Sequence, residues 1–94
     1  MTRQLRIPAA VAELVRGLHP GISRKIRAGL ARLLEEPQAG KALKDELERM
    51  QSLRVARLRI VYRVGDDGVV EIVAVGPRQR IYEETLRLVR RGEP

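Results

Sequence analysis

The sequence predicts an α+β fold with the order β-α-α-β-β-β-α, in which a helical hairpin packs on one face of an antiparallel sheet. Three observations carry the prediction. Two stretches before Pro37 repeat apolar residues at helical spacing, residues 57–64 alternate strictly between charged or polar-face and core-face positions, and Gly65-Asp66-Asp67-Gly68 reads as a hairpin turn.

Leu5-Arg6-Ile7 alternates apolar and charged side chains before Pro8 ends any pairing, so it reads as a short edge strand. Val11, Leu14, Val15 and Leu18 fall at i, i+3, i+4 and i+7, which predicts a helix beginning near Pro8 and broken by His19-Pro20-Gly21. A second helix carries Ile22, Ile26, Leu30, Leu33 and Leu34 on one stripe, turns Arg24, Lys25, Arg27 and Arg32 outward, and stops before Pro37. His19 reads as a cap or a surface residue rather than a catalyst. Gln38 to Lys41 is a loop by composition, and Ala42 to Met50 is ambiguous, with one helical turn allowed by Leu43, Leu47 and Met50.

Leu58, Ile60, Tyr62 and Val64 then alternate with Arg57, Arg59, Val61 and Arg63, a strand with one core face and one basic face. Tyr62 shares the parity of Leu58 and Ile60 and is expected in the core. After the turn, Val69 to Val75 forms a partner strand, and Tyr82 to Arg91, with Leu86 and Val89 apolar, forms a last helix.

At 94 residues the chain is expected to form one domain, residues 1–94, with a thin core. Hydrophobic residues at 44 % and charged residues at 33 % argue against both disorder and a membrane span. The N-terminus lacks a signal-peptide pattern, so a cytoplasmic location is expected. With no cysteine and one histidine, neither thiol chemistry nor a histidine-rich metal site is available; no metal and no cofactor are expected.

Net charge is +7, from sixteen arginines and three lysines against twelve acids, and five arginines with no acid lie between Arg49 and Arg63. Arginine grips a phosphate with two hydrogen bonds, so such a cluster points to a polyanion, and RNA is the expected one. Arginines two apart on one strand face lie about 6.6 Å apart, a row across which a phosphodiester backbone can lie. Arg78 and Arg80, following the partner strand, are expected to approach the same patch. A protonated guanidinium stabilises charge building on phosphorus but moves no proton. Tyr82, among guanidinium groups, offers a phenol as a general base or a ring on which a base stacks. RNA brings its own nucleophile, the 2′-hydroxyl, so alignment and charge neutralisation suffice for cleavage. The plainer readings are a solvated strand face for Arg57, Arg59 and Arg63, a helix anchor for Tyr82, and solvated acids at Glu35, Glu36, Asp45, Glu46 and Glu48.

In this order the features resemble the RelE/ParE superfamily of bacterial and archaeal type II toxins, the RelE-like branch in particular. The motifs are the leucine pair Leu43 and Leu47, the strand Arg54-Val-Ala-Arg57-Leu-Arg59-Ile-Val-Tyr62, the turn Gly65 to Gly68, Val75-Gly-Pro-Arg78, and Tyr82. The resemblance implies a small toxin neutralised by a cognate antitoxin that covers its basic face, and an activity of ribosome-dependent mRNA endonuclease acting in the decoding site. It implies Arg54 and Arg59 in phosphate contact, Arg78 on transition-state charge and Tyr82 in base action or stacking. The expected catalytic set is therefore Arg59, Arg78 and Tyr82, and the RNA-binding set Arg54, Arg57, Arg63 and Arg80. Ala56 stands at the usual glycine, Arg57 where an acid often follows, Leu58 at an aromatic position, and Ser52 where a Lys or Arg often stands; Pro77 stiffens the strand exit. The alternatives are a ParE-like DNA gyrase inhibitor without nuclease activity, or a degenerate toxin retaining only antitoxin binding.

Overall fold

The computed structural model describes residues 4–43, 47 and 49–90, with the backbone alone at Arg78 and Gln79. Residues 44–46 and 48 of the segment read as ambiguous, and Arg91 at the end of the expected last helix, lie outside the described residues. The elements are β1 (Leu5–Arg6), α1 (Ala9–Arg16), α2 (Pro20–Glu35), β2 (Lys41–Ala42), β3 (Gln51–Val55), β4 (Leu58–Val64), β5 (Val70–Pro77) and α3 (Arg78–Arg90).

Helix α1 starts where Pro8 supplies an extended cap residue, and α2 starts at Pro20, whose fixed φ suits a first helical position. The expected cap is realised at His19, whose Nδ1 accepts a hydrogen bond from the Gly21 N–H at 3.1 Å. Helix α2 ends before Pro37, as the rule for a residue preceding proline requires.

The five strands form one sheet in the order β1-β5-β4-β3-β2. The expected α+β fold is present, but the strand read from Arg54 to Tyr62 is broken at Ala56 and Arg57 into β3 and β4, and the sheet differs in two further ways. It is mixed, because β1 runs parallel to β5 while the other neighbours are antiparallel. No hairpin ties β1 to β5, and the long passage through α1 and α2 leaves β1 free to enter in the parallel sense. Lys41 and Ala42, read as loop and ambiguous segment, form β2 by pairing with Ser52 and Gln51; a two-residue strand made by a distant partner leaves no periodicity to read.

The sheet separates two clusters. On one face Ile26, Leu30 and Leu33 of α2 and Val11 and Val15 of α1 pack on Leu53, Ile60, Tyr62, Val70, Ile72 and Val75. On the other, Ile81 of α3 packs with Val61, Val73, Ala74, Met50 and Leu47. The ladder slips between Val61 and Tyr62, which face Ala74 and Ile72 in turn. Val73 is the extra residue of this bulge, so Val73 and Ala74 both serve the α3 cluster despite being adjacent.

Tyr62 is fully buried, as its parity predicts. Its hydroxyl donates to the Pro37 carbonyl at 2.7 Å and accepts from the Gly40 N–H at 2.9 Å, tying the loop after α2 to the centre of the sheet. Gly40 allows this approach, since a Cβ there would meet the Tyr62 ring and stand 2.9 Å from the Ser52 carbonyl oxygen. Among the described residues no helix is long and apolar enough to cross a membrane.

Replacing Tyr62 with Phe leaves a partly buried carbonyl and amide without their partner and should cost about 1 kcal/mol, measured by urea unfolding at neutral pH. Burial, the largest influence, raises this phenol above its usual 10.0, against the smaller lowering effects of the Gly40 hydrogen bond and the Arg32 charge. The native state therefore keeps the proton longer than the unfolded chain. The contribution is complete below about pH 10 and is lost as pH rises from there through the raised native value. Unfolding curves from pH 9 to 12 should show a falling limb in the wild type that is smaller in Tyr62→Phe.

Strands β3 and β4 are joined by Ala56 and Arg57, and Ala56 holds φ at 55°, the left-handed region where glycine is favoured. Ala56→Gly should raise stability by up to about 1 kcal/mol, seen as an increase of a few degrees in Tm.

Candidate nucleic-acid interface

The register of the sheet decides which cations stand together. Arg54 and Arg59 are direct partners across β3 and β4, and Gly76 of β5 is the next residue in that row. Directly opposed residues point to the same face. Arg54 and Arg59 therefore rise side by side on the face that α3 also occupies. The Arg54 Nε donates to the Ala56 carbonyl at 3.3 Å, which holds that guanidinium against the turn.

One row further along, Lys41, Ser52, Val61 and Ala74 are successive partners across four strands. Lys41 is exposed, and Ser52 is only 2 % exposed. The Arg59 Nη1 donates to Ser52 Oγ at 3.3 Å, and Ser52 Oγ lies 3.5 Å from the Tyr82 hydroxyl. Tyr82 is half-buried in the first turns of α3, with its ring packed against the Val61, Val73 and Ala74 cluster. Arg59, Ser52 and Tyr82 thus form one chain of polar contacts, flanked by Arg54 and Lys41.

The remaining expected residues are placed differently. Arg57 lies in the β3–β4 turn, not on the strand face with Arg59 and Arg63, because the hairpin closes after Val55. Arg63 is on that face, but its Nη2 and Nε both reach Glu71 Oε2 at 2.8 Å. Glu71 also accepts from Arg6 at 3.1 Å, so one carboxylate holds two of the chain's cations. Helix α3 starts at Arg78, four residues before the predicted start, and follows β5 without a loop. Arg78 opens that helix two residues beyond Gly76, the partner of Arg59, and its side chain lies outside the described part of the structure. Arg80 is exposed and helical; at 100° per residue it stands about 160° around α3 from Tyr82, so the helical start separates it from the phenol.

Two residues were not picked out by sequence reasoning. Lys41 became part of the face only through the β2–β3 pairing, and Ser52 entered the sequence reading only as a departure from a basic residue. The shared parity of Ser52 and Arg54, two apart in β3, was the available signal, but β3 has no long alternation to make it legible.

Chemically, the face offers guanidinium donors for phosphate oxygens, a buried hydroxyl and a phenol. Among the described residues no group of three or more His, Cys, Asp or Glu is gathered that can hold a metal ion.

A small basic α+β protein with a guanidinium–hydroxyl–phenol cluster beside its last helix is the class these features define. The family model of the ParE toxin of the type II toxin-antitoxin system parDE matches residues 8–82, and the chain belongs to that family. No protein in the curated sequence comparison matches. In structure the chain is similar to a chain of the RelBE2 toxin-antitoxin complex of Mycobacterium tuberculosis, at 27 % identity and TM-score 0.73, over 83 % of this chain and 100 % of that one. It shares its fold with the archaeal RelE–RelB complex of Pyrococcus horikoshii, at 23 % identity and TM-score 0.69, over 85 % and 99 % of the two chains. The same holds for a free mutant of the E. coli toxin RelE, at 22 % identity and TM-score 0.73, over 93 % and 97 %. The superfamily read from the order of motifs is thereby borne out.

The ion pairs predict a ranking of polyanion contacts. Heparin binding followed against salt should lose about one unit of log–log slope in Arg54→Ala and in Lys41→Ala, and less in Arg63→Ala, whose charge Glu71 already holds.

Proposed function

We propose that this toxin is a ribosome-dependent mRNA endonuclease of the RelE kind, acting in the cytoplasm and held inactive by a cognate antitoxin. The observation that carries the reading is the contact chain Arg59–Ser52–Tyr82 beside Arg54, which gathers charge-stabilising and proton-handling groups at one place on the sheet.

In the proposed reaction the 2′-oxygen of one nucleotide attacks the adjacent phosphorus. The 2′-O–P bond forms as the P–O5′ bond breaks, leaving a 2′,3′-cyclic phosphate and a 5′-hydroxyl. Tyr82, entering as the phenolate, takes the 2′-hydroxyl proton, and water protonates the departing O5′. Arg59, with Arg78 assigned to it by the family motif, neutralises the charge that grows on the non-bridging oxygens. Arg54 holds the flanking phosphate. The ribosome supplies the in-line geometry of the mRNA that so small a site cannot impose on a flexible strand.

A neutralising partner should be acidic or amphipathic, since complementing a +7 surface speeds association and covers the phosphate site together. The similar structures from M. tuberculosis and P. horikoshii are toxin-antitoxin complexes, which supports such a partner.

A second reading, inhibition of DNA gyrase without cleavage, rests on the ParE description of the matching family model. Primer extension on mRNA in programmed ribosomes separates the two. Decoding-site cleavage that needs the ribosome and drops about 10²–10³-fold in Arg59→Ala and Tyr82→Phe is the expected result. Intact mRNA together with loss of gyrase supercoiling at the same protein concentration would shift the assignment to gyrase.

A further inference from the structure

Ser52 is a buried polar residue on the α3 face of a central strand, a place where an apolar side chain would pack without cost. Its surroundings account for the hydroxyl. The Arg59 guanidinium has only donors, so at 3.3 Å the Ser52 oxygen must be the acceptor. The Tyr82 contact at 3.5 Å is long for two hydroxyls and can run in either sense. If Tyr82 donated, Ser52 would accept twice and its own proton would be left without a partner among the described residues, in a site 2 % exposed. Donation from Ser52 to Tyr82 uses every group and turns the Tyr82 proton outward, away from the sheet.

We propose that Ser52 is a positioning residue of the site: its hydroxyl, held by Arg59, fixes the orientation of the Tyr82 phenol and stabilises the phenolate that accepts a proton. The inference rests on the nuclease reading for its catalytic consequence, but its geometric content stands on the Arg59–Ser52–Tyr82 contacts themselves. Hydrogen bonds in series polarise one another, so the guanidinium charge strengthens the bond that Ser52 gives to Tyr82. Hydrogen bonds of this kind are often long in the free protein and shorten when substrate is bound. Lys41, Ser52's cross-strand partner, is exposed and remains free to meet phosphate while Ser52 works beneath it.

The test compares Ser52→Thr with Ser52→Val, two side chains of nearly equal shape that differ in the hydroxyl, alongside Ser52→Ala. The chain has two tyrosines, Tyr62 and Tyr82, so the tyrosine 13Cζ spectrum holds two assignable signals. The expected result is that Val and Ala displace the Tyr82 signal and leave that of Tyr62 in place, while Thr leaves both. In the programmed-ribosome assay, Val and Ala should lower kcat about tenfold at unchanged KM, and Thr should stay within about threefold of wild type. An unmoved Tyr82 signal in Ser52→Val overturns the proposal, as does wild-type kcat in that variant or an effect confined to KM. If the wild type cleaves no mRNA, the nuclease reading fails separately; the 13Cζ comparison still decides whether Ser52 holds the phenol.

Discussion

The buried Tyr62 phenol is the constraint on which the rest of the structure depends. Fully enclosed in the sheet centre, it satisfies its hydroxyl twice in the loop that leaves α2, at Pro37 and Gly40. A buried hydroxyl without partners is costly, so the loop is drawn onto the sheet where those partners lie. Lys41, the next residue, is thereby delivered to the edge of β3 opposite Ser52. One hydrogen-bonded side chain on the helical-hairpin face thus arranges a cation on the opposite face.

The distribution of charge follows from a similar economy of partners. The protein carries a large cationic excess, yet Arg6 and Arg63 share Glu71, and Arg16 reaches Glu13 at 2.6 Å. The exposed pair of Arg16 and Glu13 adds little stability. The consequence of the pairing at Glu71 is spatial: positive charge is reduced near the β1–β5 edge and left standing around Arg54, Arg59 and Lys41. Those three cations stand beside the place where Ser52 and Tyr82 meet, which is where the proposed chemistry needs positive charge.

Helix α3 completes the site by packing. Ile81 is fully buried against the second cluster, and Thr85, also fully buried, returns its hydroxyl to the Ile81 carbonyl at 2.7 Å. With the inward side of the helix fixed in this way, the neighbouring position Tyr82 is aimed along the sheet toward Ser52. The bulge at Val73 widens the apolar surface that receives the helix, since two consecutive residues turn to the same side. Placement of the phenol is a by-product of how α3 is seated.

Local patterns in the chain settled much of this protein by themselves. Helices α1 and α2, the His19 cap, strand β4 and the glycine-aspartate turn each depend on residues close in sequence, and each stands in the structure, although Leu14 and Val64, read as core-facing, are exposed and Val61, read on the basic face, is buried with Ile81 of α3. The order of arginines, turn and tyrosine was legible for the same reason, and with it the superfamily. Tertiary structure alone decided which of those residues meet. The parallel entry of β1, the pairing of β2, the diversion of Arg57 into a turn, the neutralisation of Arg63 by Glu71, and the Arg59–Ser52–Tyr82 contacts all depend on register between strands or on the seating of a helix. Register is fixed by burial and hydrogen bonding between distant segments, and a shift of one residue turns every side chain to the other face. Sequence periodicity names the face of a strand, whereas only the assembled sheet says what stands beside it.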